Sequence, residues 1–175
     1  MKNKEDLVFG NLIKEAVTGE VKQEILAIIK EVESLTPKEL EADLPPIDGF
    51  PDVPNWHKYE HAIWGLGEKV RQLLFKHKAL RKDKDIIKKI LQISLDPNSK
   101  RGRQSFILLL GNINCKPFAN QLITQINDKS VDGQVIDSIY KMKASGYSEI
   151  ISPYCHNKKT WIRNIAKKYI EKFGN

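Results

Sequence analysis

Three stretches in the C-terminal part of the chain can be laid over one another. They are Arg103-x-x-Phe106-x-x-Leu109-Leu110-x-x-Ile113-Asn114, Val135-x-x-Ser138-x-x-Lys141-Met142-x-x-Ser145-Gly146 and Arg163-x-x-Ala166-x-x-Tyr169-Ile170-x-x-Phe173-Gly174. Their starts lie 32 and 28 residues apart, and shorter apolar segments, Phe118 to Ile126 and Tyr147 to Cys155, follow the first and second. Steps of three and four place residues 106, 109, 110 and 113 on one helical face. One helix pair cannot bury both of its apolar stripes, so such a unit needs a neighbour stacked against it. Small residues at Ser138 and Ala166 let helices approach closely. The expected fold class is therefore all-α, with helix pairs piled in series. No segment alternates apolar and polar residues long enough to argue for a strand.

The remainder of the chain reads as helices around one break. Leu7, Leu12, Ile13 and Val17 recur at helical spacing and Gly19 interrupts them; apolar residues at 21, 25, 28, 29 and 32 then form an amphipathic stripe. Thr36-Pro37-Lys38-Glu39 has the makeup of a helix start, with Thr36 capping and Glu39 closing a capping box, and Pro45-Pro46 would stop that short helix. Residues 43–55 hold four of the eight prolines and read as an irregular connector. A longer helix is expected from Trp56 towards Leu80, with Gly65 and Gly67 each weakening it by about 1 kcal/mol relative to Ala. Asp83 is placed to cap a further helix carrying Ile86, Ile87, Ile90, Leu91 and Leu95 inward, and Asp96-Pro97-Asn98 ends it. The expected organisation is an N-terminal helical extension (1–44), a Pro-rich connector (45–55) and a helical repeat domain (56–175).

The repeated pattern resembles the HEAT repeat family in its bacterial short-repeat form, R-x-x-A-x-x-A-L-x-x-I-G, over about residues 99–174. That resemblance implies a right-handed α-α superhelix of the armadillo type. It also implies structural roles for Arg103 and Arg163, which would bond to neighbouring loops and support the stack, with Leu110 and Ala166 as packing positions. The middle copy departs from the pattern: it lacks the arginine and has Lys141 at a small or apolar position. Pro153 falls in that copy's second helix and should kink it or delay its start to Ser152.

Charge divides the chain at the connector. Residues 1–60 carry 7 Lys/Arg against 13 Asp/Glu, a net of −6, and residues 61–175 carry 22 against 9, a net of +13. A basic half of this strength points to an acidic partner, protein or nucleic acid; alternatively, its lysines solvate helices and the two halves attract each other. The aromatics Trp56, Tyr59 and Trp64 precede a basic run containing Arg71, Lys78, Arg81, Lys82 and Lys88, and Lys158 and Lys159 open a second basic group around Trp161. Together they form the candidate partner-binding set, by phosphate contact plus stacking or by protein contact. Trp161 itself reads as a core plug at a helix start.

Evidence for catalysis is thin. His57-Lys58-Tyr59-Glu60-His61 matches H-x-x-E-H, in which His57 and His61 would share a helix face on one zinc with Glu60 as general base. A five-residue match arises often by composition, and two partly exposed histidines at a helix start are the better explanation. The phosphate-cradling and nucleophile-elbow motifs are missing, and adjacent Cys155 and His156 point apart on a helix. Cys115 and Cys155, 40 positions apart, read as small buried residues, and no cofactor is implied. No apolar run approaches a membrane span or a signal-peptide core, which reads as cytoplasmic. The leading expectation is a non-enzymatic module that recognises a macromolecular partner, a protein first, as an adaptor, regulatory subunit or immunity-type inhibitor. Nucleic-acid binding in the manner of HEAT-like DNA-repair proteins is second, and a zinc-dependent hydrolase third.

Overall fold

Ile25, Ile29 and Val32 step by four and three along one helical face and are fully buried, as an amphipathic helix against a core requires. In the computed structural model, which describes residues 4–174 and side chains from residue 15, they belong to α1, an unbroken helix over Lys4–Leu35. Gly19 does not interrupt it. Val17 is exposed, and the side chains of Leu7, Leu12 and Ile13 lie outside the described residues. The helix expected from Thr36 does not form. The Thr36 hydroxyl instead donates backward to the Val32 carbonyl at 2.9 Å and meets Ser99 Oγ at 3.1 Å, so the residue closes α1 rather than opening a new helix. The chain then stays irregular to His57.

Helix α2 spans Lys58–Lys76 and α3 spans Lys84–Leu95. A 3₁₀ turn at Lys78–Lys82 joins them, so the segment expected to run from Trp56 to Leu80 starts later and breaks at His77. Asp83 caps α3 by accepting from the amides of Asp85 (3.0 Å) and Ile86 (3.2 Å). Pro97–Arg103 forms a further 3₁₀ stretch, followed by α4 (Gln104–Leu109). After the 3₁₀ turn Ile113–Phe118 come α5 (Ala119–Leu122) and its 3₁₀ continuation Ile123–Asn127, then α6 (Asp132–Lys141). The last elements are α7 (Ser148–Ile151), the 3₁₀ turn Ser152–His156 with Pro153 at its second position, and α8 (Thr160–Phe173). The described residues are thus all-helical, with no strand and a single isolated bridge between Ile47 and Phe50.

Packing runs in sequence order. α2 lies on α4, α4 on α6 and α6 on α8, while α1 lies on α3 and α3 on α5. Across these rows α1 meets α2, α3 meets α4, the 3₁₀ segment after α5 meets α6, and that after α7 meets α8. Phe106, Leu110, Ile136, Ile139, Met142, Ala166 and Tyr169 are buried in the resulting core. Ile113 is exposed instead of inward, because α4 ends at Leu109 and leaves it in the following turn.

The α2–α4 contact depends on missing side chains. A Cβ on Gly67 would fall on the Ser105 side chain and come 2.9 Å from the Phe106 ring; one on Gly102 would come 2.9 Å from the Glu60 carbonyl oxygen. Polar ties then cross the junctions. Arg103, fully buried, donates through Nη1 to the Ser94 carbonyl (3.0 Å) and Gln125 Oε1 (2.9 Å), and through Nη2 to the Asp128 carboxylate. Ser138 Oγ donates to the Ile107 carbonyl at 2.8 Å, Tyr154 Oη to Ile126 at 2.6 Å and Tyr169 Oη to Ala144 at 2.8 Å. Each gives a side-chain hydroxyl a backbone carbonyl partner from a neighbouring element, as buried polar groups require. Arg163 works more locally, donating to the Asn157 carbonyl at 2.8 Å and to Thr160 Oγ1 at 3.2 Å.

Candidate partner-binding groove

The break at His77 decides where the basic run ends up. Once the chain turns through Lys78–Lys82 and restarts at the Asp83 cap, Lys84 and Lys88 stand one helical turn apart on the outer side of α3. Opposite them, Asn112 caps the turn over Ile113–Phe118 by accepting from the Asn114 amide at 3.0 Å, which sets Phe118 facing α3. Between these walls lies a cleft of about 610 Å³ whose floor is Ile87, Leu91 and Phe118 and whose rim is Lys82, Lys84 and Lys88. None of the three lysines forms an ion pair with a described residue.

A second hollow, of about 230 Å³, shares Ile87 with the first and opens between the end of α2 and the end of α4. Arg71, Phe75, Arg81 and Leu108 line it. Phe75 is 65% exposed. The Arg81 guanidinium lies 5.8 Å above its ring and donates from Nε to the Leu74 carbonyl at 2.9 Å, which fixes a cation on an aromatic face. Arg71 is paired with Glu68 on its own helix at 2.7 Å, and that hydrogen bond raises its already high pKa. Chemically, these adjoining hollows, which together make up the candidate groove, each set apolar lining beside cationic edges, suited to acidic groups flanked by apolar side chains.

Of the sequence-predicted set, Arg71, Arg81, Lys82 and Lys88 come together here, and Lys78 is exposed in the same turn. Trp56 and Tyr59 do not join them; they sit at the opposite end of α2. Trp56 stacks on His61 with ring centres 4.9 Å apart and Tyr59 on His57 at 5.1 Å. The Tyr59 hydroxyl is buried with no partner, and burial, with Glu41, Glu60 and Asp43 nearby, pushes its pKa up to about 12. Lys158 and Lys159 form a third location, exposed in the loop before α8. Trp161 beside them is no core plug: it is 48% exposed, with its indole laid on Gly133, where a Cβ would collide with the ring.

The H-x-x-E-H segment is occupied by folding tasks. Glu60 is fully buried and accepts from the His57 amide at 2.7 Å and from the Arg101 amide at 2.9 Å, joining the start of α2 to the turn before α4. His57 points Nε2 at the Ala42 carbonyl (2.9 Å) and Nδ1 at Glu41 (3.3 Å). Among the described residues no three His, Cys, Asp or Glu side chains are placed to hold one metal ion. Free Cys115 is buried and free Cys155 half-buried.

The groove's apolar members were missed in the sequence. Phe75 follows the inward stripe of 66, 70, 73 and 74 by one residue, and that offset was the signal that it faces outward. Leu108 stands beside Leu109 and Leu110 and is masked by them. No helix of the described residues is long and apolar enough to cross a membrane. The chain matches no protein-family model, no curated protein and no solved structure.

Proposed function

We propose that this chain is a HEAT-like helical stack, a short α-α superhelix extended at its N-terminal end by α1, that binds a partner protein. Support for the architecture comes from the serial packing of α2, α4, α6 and α8 and from the polar tie at each junction. The observation that carries the binding role is the groove itself. Phe75 and Leu108 are apolar surface left in water, and beside them Lys82, Lys84 and Lys88 rim the cleft without pairing with any described acid. Apolar patches with a charged rim are where partners dock, and the charge selects an acidic one.

The test is capture from source cells with crosslinking, using the wild type beside a K82E/K84E/K88E variant. A partner of net negative charge, retained by the wild type and lost by the variant, supports the reading. Equal recovery by both, or none above background, counts against it. A second reading, nucleic-acid binding, draws on exposed Trp161 beside Lys158 and Lys159, where a base could stack while lysines meet phosphates. Salt titration of duplex and single-stranded DNA separates the two: submicromolar affinity falling steeply with salt, and lost in W161A, favours nucleic acid.

A further inference from the structure

The connector carries a surface that complements the groove. Two tight turns in succession, Phe50 N–H to the Ile47 carbonyl (2.9 Å) and Val53 N–H to the Phe50 carbonyl (3.0 Å), present Ile47, Phe50 and Val53 outward. They are 41%, 62% and 46% exposed. Asp48 and Asp52 stand between them, and neither pairs with a described cation. Gly49, at φ +79°, permits the first turn. The base of the tip is held: the Asn55 side chain donates to the Pro45 carbonyl at 3.0 Å, and His57 reaches Ala42 at 2.9 Å. A rigid base under three apolar side chains and two free carboxylates is a poor loop for its own sake.

We infer that this acidic, apolar tip docks into the lysine-rimmed cleft of a second copy of the chain, with Phe50 entering between Ile87 and Phe118 and Asp48 and Asp52 meeting Lys84 and Lys88. The tip cannot reach its own cleft. It is tethered at the N-terminal end of α2, whereas the rim lysines Lys82 and Lys84 follow the turn at the C-terminal end, an axial separation of about 27 Å over the helix's 19 residues. The contact joins unlike surfaces, so it is heterologous and propagates from copy to copy unless it closes into a ring. It is also small, which places it among weak, transient contacts.

Sedimentation equilibrium of the full chain tests this. The weight-average mass should rise above the 20.1 kDa monomer with concentration at low salt and return to it in about 0.5 M salt. Two single-sided variants, F50D in the tip and K84E/K88E in the cleft, should each stay monomeric. Mixed in equal amounts they should form a 1:1 dimer and nothing larger, since one retains an intact cleft and the other an intact tip. All three substituted residues are exposed, and circular dichroism verifies that each variant is folded. The inference is overturned if the wild type stays monomeric at millimolar concentration, if either variant still self-associates, or if the mixture remains monomeric. It shares the cleft with the proposed function but is separable from it: F50D abolishes self-association and leaves partner capture intact.

Discussion

Lys100, Arg101 and Arg103 at one turn, and Lys82, Lys84 and Lys88 at another, are cations of one chain in opposite circumstances. The first three are spent on holding the fold. Lys100 is 8% exposed, reaches Asp43 at 2.7 Å and takes φ 42°, ψ −129°, a backbone conformation rare for a residue with a side chain. Arg101 gives its amide to Glu60, and Arg103 ties three separate stretches. The other three stand in water around an apolar floor. Positive charge in this chain therefore has two uses, and the number of acids facing each residue tells them apart. Acids of residues 1–60 reach some of the basic half, through Asp43 and Glu33, but no described acid among them pairs with the cleft lysines.

If that division is right, substitutions on the two sides must fail in different ways. Arg103→Met should be the most damaging, lowering unfolding free energy by about 3 kcal/mol in a urea titration, because Asp128 and the Ser94 carbonyl lose their donor. Burial pulls the Arg103 pKa down while Asp128 opposes that, so the guanidinium depends on its acid. Gly67→Ala should cost about 2 kcal/mol in the same assay, since α2 must lift off Ser105 and Phe106. Asp83→Ala should cost about 1 kcal/mol through loss of the α3 cap. At the small end, K84E/K88E should leave the denaturation midpoint unchanged while abolishing capture. A midpoint that falls as far as that of Arg103→Met would erase the distinction.

Acid should probe the paired side alone. The Lys100 hydrogen bond holds the Asp43 carboxyl below its ordinary pKa. At Asp83 and Asp128 burial pulls upward, but Lys22 and backbone amides in the first case, and Ser130 and Arg103 in the second, more than reverse it. Each carboxyl thus binds protons more weakly folded than unfolded. Its contribution is present above about pH 4 and is lost as pH falls through the lowered folded value. Asp132 opposes this, because burial raises its pKa and its contribution is lost as pH rises. Asp128→Asn should flatten the acid limb of a stability profile measured from about pH 5 to pH 2.

Helix periodicity made the inward faces of α3, α6 and α8 readable in the sequence, as the buried Ile86, Ile90, Val135, Ser138 and Ala166 illustrate. What misled was local chemistry with two outlets. Thr36 has the makeup of a cap, yet its hydroxyl turns back on α1 and bonds Ser99, 63 residues away, a partner that no local window contains. Glu60 looks like a general base beside two histidines until the Arg101 amide arrives from another turn. The groove was legible only as charge: Lys82 and Lys88 stood out, whereas the apolar floor uses Ile87 and Leu91, which any periodicity argument assigns to the core.

The seat of Trp161 on Gly133 has a practical consequence. An indole with one face in water and the other on a glycine backbone is a fluorophore built into the joint between α6 and α8. With Trp56 and Trp64 replaced by phenylalanine, its emission would report whether the terminal helix is docked or adrift, without any label, so the far end of the molecule can be watched loosening before the remainder melts.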